Sequence, residues 1–198
     1  MSKKTIAVDL DDVLSINVSA FLEFSNQRWG TSLTIDDFIE DWRTMWGVDT
    51  KTLQTRIQEW DNSKAQANYK HFVDAKGVLL KLKDHYKLII TTSRRNKVAQ
   101  LTAEWVDKYF PGIFEGVHHA GIFDDHKEGA HLGTKAELCR QVEADFLIDD
   151  HPKHCFAVAE IGITALLFGE YPWSIDDNLP KGVIRTKNWQ EVAEYFNA

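Results

Sequence analysis

Two cysteines, Cys139 and Cys155, are all that this 198-residue chain carries, and their spacing matches no metal-ligating pair. A disulfide framework and a structural zinc site are therefore excluded as the basis of the fold, and two buried, reduced thiols are expected. No segment approaches the roughly 20 apolar residues that a membrane crossing requires. No tract repeats, none is low in complexity, and none reads as a flexible linker. The apolar run near the start, Ile6-Ala7-Val8, is cut at once by Asp9, unlike a signal peptide, so a cytoplasmic location is the expectation. Positive charge is also short: 23 Lys and Arg stand against 30 Asp and Glu, a net charge of −7. Such a chain is repelled at long range by a phosphate backbone, which argues against polymeric nucleic acid but not against a small phosphorylated ligand.

What is abundant is aromatic and patterned. Hydrophobic residues make up 43% and aromatic residues 12%, including seven tryptophans, enough for a packed globular core. Thr5-Ile6-Ala7-Val8 is a continuous apolar, β-branched run, as expected of a strand buried on both faces. Similar runs occur at Lys87–Thr91, Gly116–His118, Phe146–Ile148, Thr164–Phe168 and Gly182–Ile184. Helical periodicity fills the gaps at Val73–His85, Lys97–Phe110, Thr134–Val142, Lys153–Ile161 and Asn188–Phe196. This alternation predicts an α/β fold: a Rossmann-like, doubly wound, mostly parallel sheet covered by helices.

One gap is too long for a single crossover. Between Val13 and about residue 71 the pattern predicts three helices, Asn17–Arg28, Ile35–Met45 capped by Thr34, and Lys51–Asn68. Four tryptophans (Trp29, Trp42, Trp46 and Trp60) fall in this stretch. It reads as a helical cap inserted after the first strand, residues 16–70, tethered by short hinges near Leu14 and Tyr69. Residues 1–15 and 71–198 then form the core.

Polar residues gather where such a sheet puts its chemistry, beyond the carboxyl ends of its strands. The first strand runs into Asp9-Leu10-Asp11-Asp12 and the fourth into Asp149-Asp150. Two carboxylates about 4 Å apart repel by roughly 4 kcal/mol at an effective dielectric near 20, so stability alone gives little reason to keep them together. Two such pairs at one sheet edge point to a cation, and oxygen ligands of this kind suit Mg²⁺. The second strand ends in Thr91-Thr92-Ser93-Arg94, whose hydroxyls and amides can hold phosphate oxygens. Lys135 follows Gly133-Thr134 at a helix start, where a cation opposes the helix dipole and calls for an external anion. Each signal alone also fits a helix cap or a solvated charge. Arg94 and Arg95 fit either a second substrate anion or solvated helix-start charges. His118, His119, His126 and His131 match no zinc spacing and read as a polar loop, while His151 and His154 read as a helix start.

In their order, Asp9-x-Asp11, Thr92-Ser93, Lys135 and Asp149-Asp150 resemble the four signatures of the haloacid dehalogenase superfamily of aspartate-nucleophile phosphatases. The chain most resembles the 5′(3′)-deoxyribonucleotidases of that superfamily, through the early helical cap, Ile148-Asp149-Asp150 and the tail Asn188-Trp189-Gln190-Glu191-Val192. The resemblance implies that Asp9 is a nucleophile forming an aspartyl-phosphate and that Asp11 is the general acid and base. It implies Mg²⁺ held by Asp9, the Asp11 carbonyl and Asp150 with Asp149 beside it, and phosphoryl oxygens held by Thr92, Ser93 and Lys135. Dehalogenases lack the second acid that Asp11 supplies, which favours a phosphatase. The implied substrate is a small phosphorylated molecule, a (deoxy)nucleoside monophosphate, with a homodimer left open. Another phosphorylated metabolite, or a module that binds a phospho-ligand without turnover, are the alternatives. Asp12 stands where these nucleotidases usually carry glycine, and Asn17 where a base-stacking aromatic is expected. Phe21, Trp42, Trp46 and Trp60 are the candidates to line a base pocket instead.

Overall fold

The apolar runs form six parallel strands in a computed structural model that describes residues 3–120, 134–176 and 178–198. The strands are β1 (Lys4–Val8), β2 (Tyr86–Thr92), β3 (Val117–His119), β4 (Phe146–Asp149), β5 (Thr164–Phe168) and β6 (Val183–Thr186), in the order β3-β2-β1-β4-β5-β6. Every pairing is parallel, with Ala7 opposite Ile89 on one side and Leu147 on the other. β1 shows why the runs lack alternation: Ile6, Ala7 and Val8 are all fully buried. Ile6 and Val8 join a core with Leu88, Ile90, Ile148 and Leu166, whereas Ala7 faces a second core with Ile89, Leu147, Ala165 and Leu167. The sheet is thus a septum between two cores. Cys139 and Cys155 lie in the second as buried free thiols.

Helices α4 (Val73–His85), α5 (Ala99–Tyr109), α6 (Lys135–Gln141), α7 (Pro152–Glu160) and α8 (Trp189–Phe196) connect or follow the strands. The strand order reverses between β2 and β4 about β1, which places the crevice of a doubly wound sheet beyond β1 and β4. Asp9 follows β1 directly and Asp149 ends β4.

Between β1 and α4 the chain forms α1 (Asn17–Trp29), α2 (Trp42–Trp46) and α3 (Thr50–Ser63) with short 3₁₀ turns at Ile35–Asp37 and Ala65–Asn68. Two expected helices are thereby corrected. The periodicity over Ile35–Met45 predicted one helix. Asp37 instead turns back onto Thr34 in a reciprocal cap, Phe38 is extended, and Asp41 caps a new helix through the amides of Arg43 and Thr44. Two competing caps ten residues or less apart break one helix into two. Lys51–Asn68 likewise ends early, at Lys64 in the left-handed region (φ 52°). The neck of the insert is narrow. Ser15 pairs with His71 in an antiparallel bridge, flanked by Ile16 N–H to the Lys70 carbonyl (2.8 Å) and Phe72 N–H to the Leu14 carbonyl (3.0 Å).

Candidate active site

Asp9 is fixed by the sheet. Its amide donates to the Ile148 carbonyl (2.8 Å), extending the β1–β4 ladder by one residue, and leaves its side chain almost wholly buried. Lys135, in the first turn of α6, reaches it from below. The ammonium lies 2.6 Å from Asp9 Oδ1 and 2.5 Å from Asp149 Oδ2, and is 1% exposed. The anion that this helix-start lysine called for is therefore supplied by the chain itself. Both Asp149 oxygens are committed, one to Lys135 and the other to the His151 amide (2.9 Å). Asp150 accepts the Trp173 indole N–H at 2.6 Å.

Oxygens of Asp9, Asp149 and Asp150 lie within 4.8 Å of one another, the only such grouping of His, Cys, Asp and Glu among the described residues. Their environments separate them. Burial raises the Asp9 carboxyl to about 7, with Lys135 opposing and Asp149 and Asp11 adding to the rise. Burial and then the charges of Asp149, Asp9 and Asp12 push Asp150 well above the carboxylate range. Asp149 is also pushed up by burial, but Lys135 outweighs it and holds the group low. Lys135 stays protonated because the same two aspartates overcome its desolvation.

Asp11 points elsewhere. Its carboxylate accepts a fork from Arg94, at 2.6 Å from Nη2 and 2.9 Å from Nε, and the Ser15 hydroxyl at 3.1 Å. Arg94 is itself buried, touches the Thr102 hydroxyl at 3.3 Å, and lies over the Tyr69 ring. It is neither of the things its sequence position suggested: it pairs with a protein carboxylate. Asp12 has φ 54°, the left-handed backbone that glycine adopts freely. Its carboxylate accepts the amides of Asn17 (3.1 Å) and Val18 (3.1 Å), so it caps α1 from outside the helix. The extra acid beside Asp9 is thus a capping group. Burial and Asp11 still raise it to about 8, against the pull of those two amides.

Thr92 ends β2 fully packed, its hydroxyl accepting the Arg94 amide (3.2 Å). The next hydroxyl, Ser93 Oγ, is buried with no partner among the described residues and lines a cavity of about 490 Å³ between sheet edge and helical insert. That size suits a small organic ligand. Asp9, Asp11 and Asp150 lie at its floor, and Phe38, Trp42 and Trp173 supply aromatic wall. Trp42 therefore lines the cavity as expected, but Phe21, Trp46 and Trp60 are not among its lining residues. They pack in the first core where it continues from the sheet into the insert, and there the Phe21 ring lies 5.1 Å from Trp60 and 5.6 Å from Trp46. Apolar residues at helical spacing served packing first. Ion pairs tie the insert to the sheet edge on two sides: Glu40 to Lys153, and Asp61 to Lys97 (2.5 Å) and Arg95 (3.2 Å). His151 caps α7 ahead of Pro152, as expected of a helix start. His118 and His119 lie on β3, and His126 and His131 fall outside the described residues.

Sequence reasoning missed the roles of Arg94, Trp173, Glu40 and Asp61. Arg94 carried a signal, its place next to Thr92-Ser93. Trp173 carried none, because it follows the fifth strand in a segment without periodicity.

The residues fit a hard divalent cation. Among the described residues three buried carboxylates face one buried ammonium, so the cluster there is short of positive charge, and its donors are all oxygen. Asp150 is the least compensated of the three.

The chain is similar to known proteins in sequence and in fold. A family model described as 5′ nucleotidase, deoxy (Pyrimidine), cytosolic type C protein matches residues 3–197. "Putative nucleotidase YqfW" of Bacillus subtilis is 27% identical over 200 residues, covering 97% of this chain and 93% of the relative. Among solved structures, a haloacid dehalogenase-like family hydrolase from Streptococcus pneumoniae superposes with a TM-score of 0.70 at 17% identity, covering 98% of both chains. The HAD-hydrolase YfnB of Bacillus subtilis, whose structure is bound to magnesium, gives 0.66 at 13% identity over the whole of both chains.

Proposed function

The chain belongs to the 5′ nucleotidase, deoxy (Pyrimidine), cytosolic type C family of haloacid dehalogenase-type phosphatases, and from that premise we propose that it is a Mg²⁺-dependent phosphomonoesterase acting on (deoxy)nucleoside monophosphates through an aspartyl-phosphate. One observation carries the reading: Asp9, locked to the end of β1 and paired with Lys135, stands on the floor of a covered cavity beside two further buried aspartates. Residues 16–70 act as the cap over that cavity.

A carboxylate oxygen of Asp9 attacks phosphorus, and the P–O bond to the nucleoside breaks as the leaving oxygen takes a proton from Asp11. Water then attacks the aspartyl-phosphate, giving its proton to Asp11 and releasing inorganic phosphate. Ser93 offers its unpartnered hydroxyl, and Lys135 its ammonium, to the transferring oxygens. Asp9, Asp150 and the Asp11 carbonyl would hold Mg²⁺, which supplies charge neutralisation for the phosphoryl group. Asp149 keeps Lys135 in place with both its oxygens already bonded. A protonated Asp11 cannot accept the whole Arg94 fork, so the acid step goes with a turn of Asp11 away from Arg94 and toward the cavity. Lifting the cap admits substrate, and its closure excludes water while the ester bond breaks.

The test is phosphate release from p-nitrophenyl phosphate in Mg²⁺, in EDTA, and with Asp9→Asn. Activity that needs Mg²⁺ and vanishes in the variant supports the chemistry, and activity surviving in the variant overturns it. A panel of nucleoside monophosphates and sugar phosphates then decides the substrate. Equal turnover across the panel defeats the nucleotide assignment.

A further inference from the structure

Trp173 touches both halves of the molecule at the point where they meet the aspartate cluster. Its indole N–H donates to Asp150 Oδ2 at 2.6 Å, and among the described residues no donor is placed on Oδ1. Its ring lies edge-on to Phe38 of the cap, 5.1 Å between centroids. Its other neighbour is Tyr171, stacked parallel at 4.7 Å with 2° between planes.

The segment that carries this pair is built rather than loose. The Tyr171 hydroxyl donates to the Asp12 carbonyl at 2.7 Å. Ser174 is fully buried, accepts the Tyr171 amide and donates back to its carbonyl, and its own carbonyl accepts Arg185 at 2.8 Å. Gly169 has φ 85°, and a Cβ there would stand 2.3 Å from the Tyr171 ring, so the stack closes directly on the backbone. An indole so held has one place for its N–H, and that place is Asp150.

We propose that Trp173 is a positioning residue that orients Asp150 for the divalent cation and makes that orientation depend on the cap through Phe38. The proposal rests on the metal reading given above. By occupying Oδ2, the indole presents Oδ1 to the cluster and fixes the carboxylate's rotation. Partners of this kind, one bond removed from the metal, commonly change affinity about tenfold or more when lost. Because Phe38 belongs to the cap, a closed cap keeps the indole seated and an open one removes an edge contact from it. Metal retention and cap position are then linked, and the link is reciprocal.

The experiment measures Mg²⁺ binding itself, by titration calorimetry on the full chain, for wild type, Trp173→Phe and Phe38→Ala. Trp173→Phe keeps an aromatic ring, though a smaller one, for the stack and the Phe38 edge and loses the donor. It is expected to weaken Mg²⁺ binding about tenfold. Phe38→Ala keeps the donor and is expected to weaken it about two- to fivefold. Near-ultraviolet circular dichroism gives a second signature: a Mg²⁺-induced change in the wild type that is lost in Trp173→Phe, each variant first being confirmed folded by its far-ultraviolet spectrum. Should Trp173→Phe not fold, Phe38→Ala alone decides, and wild-type affinity in it overturns the proposal. Wild-type affinity in Trp173→Phe overturns the proposal and leaves the metal reading intact. A wild type that binds no Mg²⁺ overturns both.

Discussion

Replacing Asp150 by asparagine should stabilise the metal-free protein while removing its response to Mg²⁺. At separations within 4.8 Å, each neighbouring carboxylate, when charged, repels a charged Asp150 by roughly 3.5 kcal/mol or more at an effective dielectric near 20. Among the described residues the one nearby ammonium, Lys135, is already committed to Asp9 and Asp149. Burial and the neighbouring acids push the Asp150 carboxyl well above the ordinary range, toward its neutral form. Holding a proton at pH 7 on a group of unfolded pKa near 3.9 costs about 4 kcal/mol, which bounds the penalty. Asparagine avoids it and can still accept the Trp173 N–H through its own carbonyl oxygen.

The expected gain for Asp150→Asn in EDTA at pH 7 is about 2–4 kcal/mol, or roughly 5–10 °C in Tm for a domain of this size. The sign with pH follows from the raised group. Above its unfolded pKa the folded wild type binds more protons than the unfolded chain, so wild-type stability falls as pH rises. The variant's advantage should therefore shrink to about 1.5 kcal/mol near pH 5. Mg²⁺ at a hundredfold excess over its Kd should stabilise the wild type by about 2.7 kcal/mol and the variant hardly at all. Thermal melts in EDTA and Mg²⁺ at both pH values measure all four states. A variant less stable than wild type in EDTA, or one retaining the full Mg²⁺ shift, refutes the reasoning.

Two other substitutions separate structural from chemical roles. Arg94→Met removes the fork on Asp11 and the contacts to Thr102 and Tyr69, and Asp11 is 24% exposed, so water repays part of the loss. A cost of about 3 kcal/mol is expected in urea melts, the low end for stripping one partner from a buried pair, and a loss under about 1 kcal/mol contradicts the assignment. At Asp12, asparagine keeps both the left-handed backbone and the cap on α1, and should melt within about 0.5 kcal/mol of wild type. Glycine keeps only the backbone, and alanine keeps neither and should lose about 2 kcal/mol; melts that rank alanine above glycine contradict the backbone argument, and a glycine variant as stable as the asparagine one contradicts the capping role.

The sheet was legible because its four inner strands, β2, β1, β4 and β5, are local runs whose burial on both faces shows in three or more successive residues, as at Ile6-Ala7-Val8. The placement of Asp9 and Asp149-Asp150 followed from the same runs, since each pair sits where a strand stops. The cap was harder. Its apolar residues carry helical spacing throughout Ile35–Met45, and the break at Phe38 came from two side-chain caps, Asp37 on Thr34 and Asp41 on Arg43 and Thr44, that compete with the helix at the level of single hydrogen bonds. The aromatics misled for a related reason. Periodicity says that a ring is buried, not whether it faces a core or a cavity, and Trp42 and Trp46 differ by one helical turn.

The side chains around the aspartates were illegible because their partners are remote in sequence. Arg94 lies 83 residues from Asp11, and Tyr171 lies 159 from Asp12. Even Trp173, 23 residues from Asp150, is separated from it by a helix and a strand. These contacts share a cause. Carboxylates gathered at one sheet edge must each be given a partner or a proton, and the chain supplies Lys135 to two of them, Arg94 to a third and the α1 amides to a fourth. Among the described residues Asp150 receives no cation, only a neutral indole and a shift toward its protonated form. A protein selected for stability alone would have no reason to leave that one group without a cation, so its incomplete compensation is the strongest structural argument that a cation from outside belongs there.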